Sequence, residues 1–227
     1  MLKYPGMDNQ EVNQKKLWEK QHIKRADESR QIENKPNLFA LRCAQLIPEG
    51  GKVLEIGSAN GRDARYFAKE KKCIVIATDF SFNALLQLKE ASDRDKTRET
   101  VLPLVAEAQN LPLNQPETID VIYARSALHL SDKEMDKFFK HAISLLKSGG
   151  FIMIEGKTEM DSKIMRSEEV SPNLFINGDA HIRRLWNKQL TEEVIKKYDL
   201  NLVETSSNTE IWDELETRFI NFIAQKK

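Results

Sequence analysis

Val53-Leu54-Glu55-Ile56-Gly57-Ser58-Ala59-Asn60-Gly61-Arg62-Asp63-Ala64 is the stretch on which the fold turns. Residues 52–56 (KVLEI) form a short, mostly apolar run that enters Gly57 directly. Residues 62–71 follow as a helix-like stretch with Ala64, Phe67 and Ala68 on one face. Gly57 and Gly61 bracket a tight strand-to-helix turn, where a missing Cβ lets backbone approach a ligand. The helix that follows offers unpaired N–H groups at its start. The spacing is not that of a dinucleotide loop, because G-x-G-x-x-G from Gly57 needs glycine at 59 and 62, where Ala59 and Arg62 stand. Glu55, at the end of the strand, suits an ammonium or hydroxyl ligand and would repel a pyrophosphate. A NAD-linked oxidoreductase is therefore disfavoured.

The alternation continues outward. Residues 73–78 (CIVIAT) are a second, near-continuous apolar run, which suits a strand covered on both faces. Residues 81–93 carry Phe82, Ala84, Leu85, Leu88 and Ala91 at helical spacing, and residues 101–106 and 119–124 read as strands three and four. A helix is expected over 132–146, a fifth strand over 151–155, and another helix over 190–198. Two strand-like runs, 200–206 and 218–225, close the chain as an antiparallel hairpin. The expectation is a Rossmann-like α/β fold: an open, mostly parallel seven-stranded sheet flanked by helices.

Ahead of this domain (residues 37–227) lies a polar helical arm or lid (residues 1–36), rich in Glu, Lys, Gln and Arg and with one large aromatic, Trp18. The 227 residues carry 35 basic and 35 acidic side chains. That balance gives no global attraction to nucleic acid or anionic membrane. No apolar run approaches a bilayer span, and the first ten residues lack a signal-peptide core, so a cytoplasmic protein is expected. Cys43 and Cys73 stand apart, which offers no disulfide framework and no metal-ligand set.

Ligands of such sheets sit beyond the carboxyl ends of the strands. Taken singly, the residues there have bland readings: Gly57 and Gly61 fit any strand-to-helix turn, Asp79 fits a helix N-cap, and Glu107 fits a polar loop. Taken together, VLEIGSANGRDA, Asp79, the stretch AEAQNLPL (106–113), ARSALH (124–129) and LLKSGGFIMIEG resemble the ordered motifs of the class I S-adenosylmethionine-dependent methyltransferases. Ala59 departs from that pattern, standing where the middle glycine usually falls.

The resemblance implies S-adenosylmethionine as cofactor, held by Glu55, Gly57, Ala59 and Gly61, with Asp79 on both ribose hydroxyls and Phe80 against adenine. It implies Glu107 accepting from the adenine amino group, the Ala108 N–H meeting a ring nitrogen, and Arg125 in the motif that faces the methionine part and the substrate. No catalytic residue is implied, since methyl transfer needs a base only when the nucleophile must lose a proton early.

A small-molecule acceptor fits best, because the inserts are short and the arm can serve as a lid. The place after strand four reads Ala124-Arg125-Ser126-Ala127, without the Asn/Asp-Pro-Pro-aromatic motif of amino-methylating relatives. GRDARYFAK and ARSALHLSD resemble the tellurite-resistance and thiopurine-type branch. A non-catalytic S-adenosylmethionine-binding protein, or a protein or RNA methyltransferase, are the alternatives. The long segment 157–188 is expected to form the substrate wall through His181 and Arg183, with His129 facing the same opening. One of Arg183 and Arg184 is expected to be solvated, and Trp186 fits either core or wall. His22 and His141, in charged helical stretches, are expected to be exposed.

Overall fold

The computed structural model describes residues 7–27, 35–159, 168–177, 179–212 and 215–227. Five parallel strands form its spine: β1 (Lys52–Ile56), β2 (Ile74–Asp79), β3 (Val101–Val105), β4 (Ile119–Arg125) and β5 (Leu146–Lys157). Helices α3 (Arg62–Lys71), α4 (Phe82–Asp95) and α5 (Asp132–Leu145) make the crossovers. A hairpin of β9 (Leu200–Trp212) and β10 (Leu215–Lys226) completes the sheet in the order β3-β2-β1-β4-β5-β10-β9, with β10 antiparallel to β5. The order reverses between β1 and β4, which puts the ligand crevice beyond the ends of those two strands.

Both faces of the sheet are covered, and the apolar runs follow from that. On β4, Val121 and Tyr123 enter a core with Phe39, Phe67 and Met153. Ile122 and Ala124 enter the opposite core with Phe138, Phe139 and Ile154. Side-chain caps set where the helices begin. Ser81 accepts the Ala84 N–H at the start of α4, Asn187 does so for α6 (Lys188–Lys197), and Ser131 and Glu134 form a reciprocal capping box on α5.

Two features depart from the sequence expectation. Strand five and the closing hairpin are longer than expected, because they pair with each other along most of their length. The segment 157–188 is not a plain connection: it contains a small antiparallel sheet of β6 (Glu168–Ser171), β7 (Leu174–Ile176) and β8 (Ile182–Arg184). Its turns put Asn173 and Ala180 in the left-handed region (φ 61° and 60°), and residues 160–167 and 178 lie outside the described residues. The polar arm is a helix, α1 (Met7–Asp27), that packs on α4, and α2 (Leu38–Ala44) follows with Asn37 as its cap. Among the described residues, no helix is long and apolar enough to cross a membrane.

Candidate cofactor and acceptor site

The turn after β1 is built on left-handed backbone: Gly57, Ala59 and Gly61 have φ of 66°, 48° and 69°. A Cβ on Gly57 would collide with the Ala127 methyl, and one on Gly61 with the Leu88 side chain. These glycines are thus required by conformation and by close approach. Ala59 takes the same conformation with its methyl, at about 1–2 kcal/mol. Its N–H is held by Asp79 Oδ2 at 2.9 Å. That tie accounts for the turn surviving without the middle glycine.

Asp79 organises both ends of the crevice, since Oδ1 accepts the Ser81 N–H, also at 2.9 Å. Burial raises its pKa, opposed by those N–H donors and by His22. Two of a carboxylate's roughly four lone-pair sites are used, which leaves two outward. Glu55 is buried at the end of β1, and burial, then Asp63, push its carboxyl well above the ordinary range. Its Oε2 is fully enclosed and accepts no hydrogen bond from the described residues. An enclosed acidic oxygen wants a cation or donor from outside the chain. S-adenosylmethionine, with an ammonium and two ribose hydroxyls, fits both acids. Beneath the loop, Asp63 is held by Asn37, by the Tyr123 hydroxyl (3.1 Å) and by Arg62 Nε (3.1 Å).

The other residues expected at the cofactor are partly engaged within the chain. Glu107 forms an ion pair with Lys15 of the arm and accepts from Gln109 at 2.9 Å. Phe80, which follows Asp79, and Ala108, which follows Glu107, are both half-buried. Arg125 is bound to Glu155 (2.7 Å) and Glu210 (2.6 Å), with its guanidinium 4.9 Å from the Phe219 ring. Burial opposes its charge, but the two carboxylates outweigh it and hold its pKa above the ordinary value. Burial lifts Glu155 to about 7, with Arg125 opposing and Glu210 adding to the rise.

On the other side of the switch point, β4 ends in a sharp reversal. Ser126 has φ 48°, and the His129 N–H returns to the Ala127 carbonyl at 2.9 Å. His129 thereby reaches β8: Nδ1 lies 3.2 Å from the Arg184 N–H and Nε2 3.1 Å from Arg183 Nη1. Burial, then Arg183 and Lys157, hold its pKa well below the ordinary histidine value. A neutral imidazole has one bare nitrogen, so it accepts from only one of these two donors, and a second proton would remove that contact.

Trp18 of α1 closes this corner. Its ring lies parallel to His129 (centroids 6.0 Å, 6°), edge-on to His181 (4.7 Å), and under the Arg183 guanidinium (4.4 Å). His129, distant in sequence from His181 and Arg183, thus meets them at one aromatic ring. Arg184 is not solvated. It is buried and bonds Leu130 O, Pro172 O and Asp132, which makes it a structural tie. Trp186 is core, packed against Gly156 and Phe222.

His22 is buried rather than exposed, covered by Trp18, and its carbonyl accepts from Gln87 (3.2 Å). His141 is half-buried on the Leu113 carbonyl (2.7 Å). Their helices read as polar because the contacts that bury them come from elements distant in the chain. Arg62, Asp63, Asn37 and Glu155 went unread for the same reason, although Asp63 and Arg62 lie within the motif itself.

A sheet reversing between β1 and β4, a left-handed glycine loop, and paired acids at two strand ends define a nucleoside-binding α/β protein. Residues 53–150 match a family described as a methyltransferase domain, which supports a methyltransferase that takes S-adenosylmethionine as its cofactor. No curated protein matches the chain by sequence. Its fold is similar to that of a SAM-dependent methyltransferase from Methanosarcina mazei, with TM-score 0.67 and 15% identity over 82% of this chain and 96% of that one. It is also similar to TehB from Haemophilus influenzae (TM-score 0.65, 16% identity, 85% of this chain and 63% of that one). A third likeness is to the 1,6-didemethyltoxoflavin-N1-methyltransferase of Burkholderia thailandensis, crystallised with its acceptor and S-adenosylhomocysteine (TM-score 0.66, 14% identity, 100% and 92%).

Proposed function

We propose that this enzyme transfers the methyl group to a small-molecule acceptor that lies between the Gly57 turn and the ring of Trp18. The observation that carries this reading is the convergence of His129, His181 and Arg183 on Trp18, with His129 two residues beyond Ala127, which itself lies against Gly57. That places an aromatic corner with one guanidinium next to the cofactor loop. Such a corner suits a small planar or anionic acceptor. The neighbour crystallised with 1,6-didemethyltoxoflavin supports a small acceptor by analogy.

On this reading Asp79 holds the ribose hydroxyls, Glu55 the ammonium, Glu107 and Ala108 the adenine edge with Phe80 on its face, and Arg125 borders the methionine end. The bound cofactor supplies an electrophilic methyl on sulfur. The chain's contribution is alignment of nucleophile, carbon and leaving sulfur, an effect worth roughly 7–11 kcal/mol. His129, kept neutral by its burial beside the Arg183 charge, orients the wall and carries no assigned proton transfer. Of the arm over residues 1–36, 1–6 and 28–34 lie outside the described residues, and α1 acts as the lid, since it reaches both the cofactor side through Lys15 and Glu19 and the acceptor side through Gln14 and Trp18. The test is calorimetry with S-adenosylhomocysteine, followed by a screen of small acceptors in which S-adenosylhomocysteine release is measured. Tight nucleoside binding with no small acceptor turned over, alongside methylation of protein or RNA, would overturn the acceptor assignment.

A further inference from the structure

The inference concerns an arm residue that no motif marks, and it rests on the reading that His181 faces the acceptor. Gln14 extends its side-chain amide to the turn between β7 and β8: Nε2 donates to the Ala180 carbonyl at 2.7 Å, and Oε1 accepts the Ile182 N–H at 2.9 Å. These are the backbone groups on either side of His181. The same amide thus behaves like a neighbouring strand, pairing with one donor and one acceptor of the chain it meets.

The remaining backbone groups of His181 are held by Asn177. The Asn177 side chain accepts the His181 N–H (2.9 Å), and its backbone N–H donates to the His181 carbonyl (3.1 Å). Asn177 is local and can only shape the turn. Gln14 arrives from another element, so it fixes where the turn sits relative to the rest of the site. Trp18, one helical turn further along the same face of α1, then meets the His181 ring edge-on at 4.7 Å. Lys15 and Glu19, on the adjoining stripe, bind Glu107 and the start of α4. One rigid helix therefore spans from the cofactor wall to the turn that carries His181.

We propose that Gln14 is a positioning residue for the acceptor wall: by clasping Ala180 and Ile182 it sets the location and ring orientation of His181 against Trp18. Its chemistry requires a group with both a donor and an acceptor on one planar end, at the reach of a glutamine. Leucine at this position keeps the helix and an apolar side chain of similar bulk but offers neither. Glutamate keeps only the acceptor for the Ile182 N–H and turns a negative charge on the Ala180 carbonyl.

The experiment uses the full chain with ring-labelled histidine, the His181 resonances being identified by their loss in His181→Gln. In Gln14→Leu the His181 ring signals are expected to shift or broaden, while those of His141 on α5, bonded to the Leu113 carbonyl, stay in place. Gln14→Glu should move them less than Gln14→Leu. Lys16→Ala, an exposed substitution on the same helix, should leave them unchanged. With the acceptor that supports turnover, Gln14→Leu is expected to lower kcat/KM about tenfold through the acceptor KM, with the S-adenosylmethionine KM held within about twofold. His181 signals that superimpose on the wild type in Gln14→Leu would overturn the inference. The ring measurement needs no ligand, so it separates this inference from the acceptor assignment: failure of every small acceptor would sink that assignment and leave the ring result standing.

Discussion

Replacing Asp79 by alanine should damage the protein twice, once in the folded chain and once in its ligand. The carboxylate accepts the Ala59 and Ser81 N–H groups, both at 2.9 Å. Each is worth ~1–3 kcal/mol when its buried donor is stranded. Part of that loss is offset, because the acid is itself costly to bury, as its raised pKa shows. A net destabilisation of about 2 kcal/mol is expected, read as a lower midpoint in urea at unchanged slope.

On the proposed reading that Asp79 holds the ribose, the ligand would lose two charge-assisted hydrogen bonds, each ~1.5–3 kcal/mol, so S-adenosylhomocysteine affinity should fall at least about tenfold. Asp79→Asn separates the two effects. Its carbonyl oxygen can keep one loop N–H while the amide faces the other, so stability should recover more than affinity does. An Asp79→Ala protein with wild-type urea midpoint and unchanged calorimetric affinity would refute the assignment of this acid to both the loop and the ribose.

Gly57→Ala should cost roughly 1–2 kcal/mol for its left-handed backbone plus the collision with Ala127. Adding Ala127→Gly should recover the second part only, as a thermal-unfolding double-mutant cycle would show. Glu155 titrates near 7 in the folded chain and at its ordinary 4.5 unfolded. The folded state therefore holds more protons between those values, and stability should fall by about 3 kcal/mol as pH rises from 4.5 to beyond 7. Glu155→Gln should flatten that fall in urea titrations across the window. Alanine at His129, His181 or Arg183 should lower turnover while leaving S-adenosylhomocysteine affinity within about a factor of three, roughly 0.65 kcal/mol. Wild-type turnover in all three would move the acceptor wall elsewhere.

What the sequence determined by itself is local. A strand feeding a glycine turn, apolar runs of strand length and capped helices at near-regular intervals depend on neighbours a few residues apart. The first two strands, Glu55 and Asp79 at their ends and the loop after β1 were therefore legible within residues 52–79. Even Ala59 could be placed, because its position follows from the turn around it. The tertiary structure decided everything that depends on which distant surfaces meet. Nothing in the arm's polar composition says that His22 is buried, that Trp18 lies against His129 and Arg183, or that Gln14 clasps the backbone beside His181. Arg183 and Arg184 are adjacent and chemically alike, yet one lies over an aromatic ring and the other is buried on Leu130 and Asp132. Successive residues of β8 point to opposite sides, so packing alone assigns one to the site and the other to the frame.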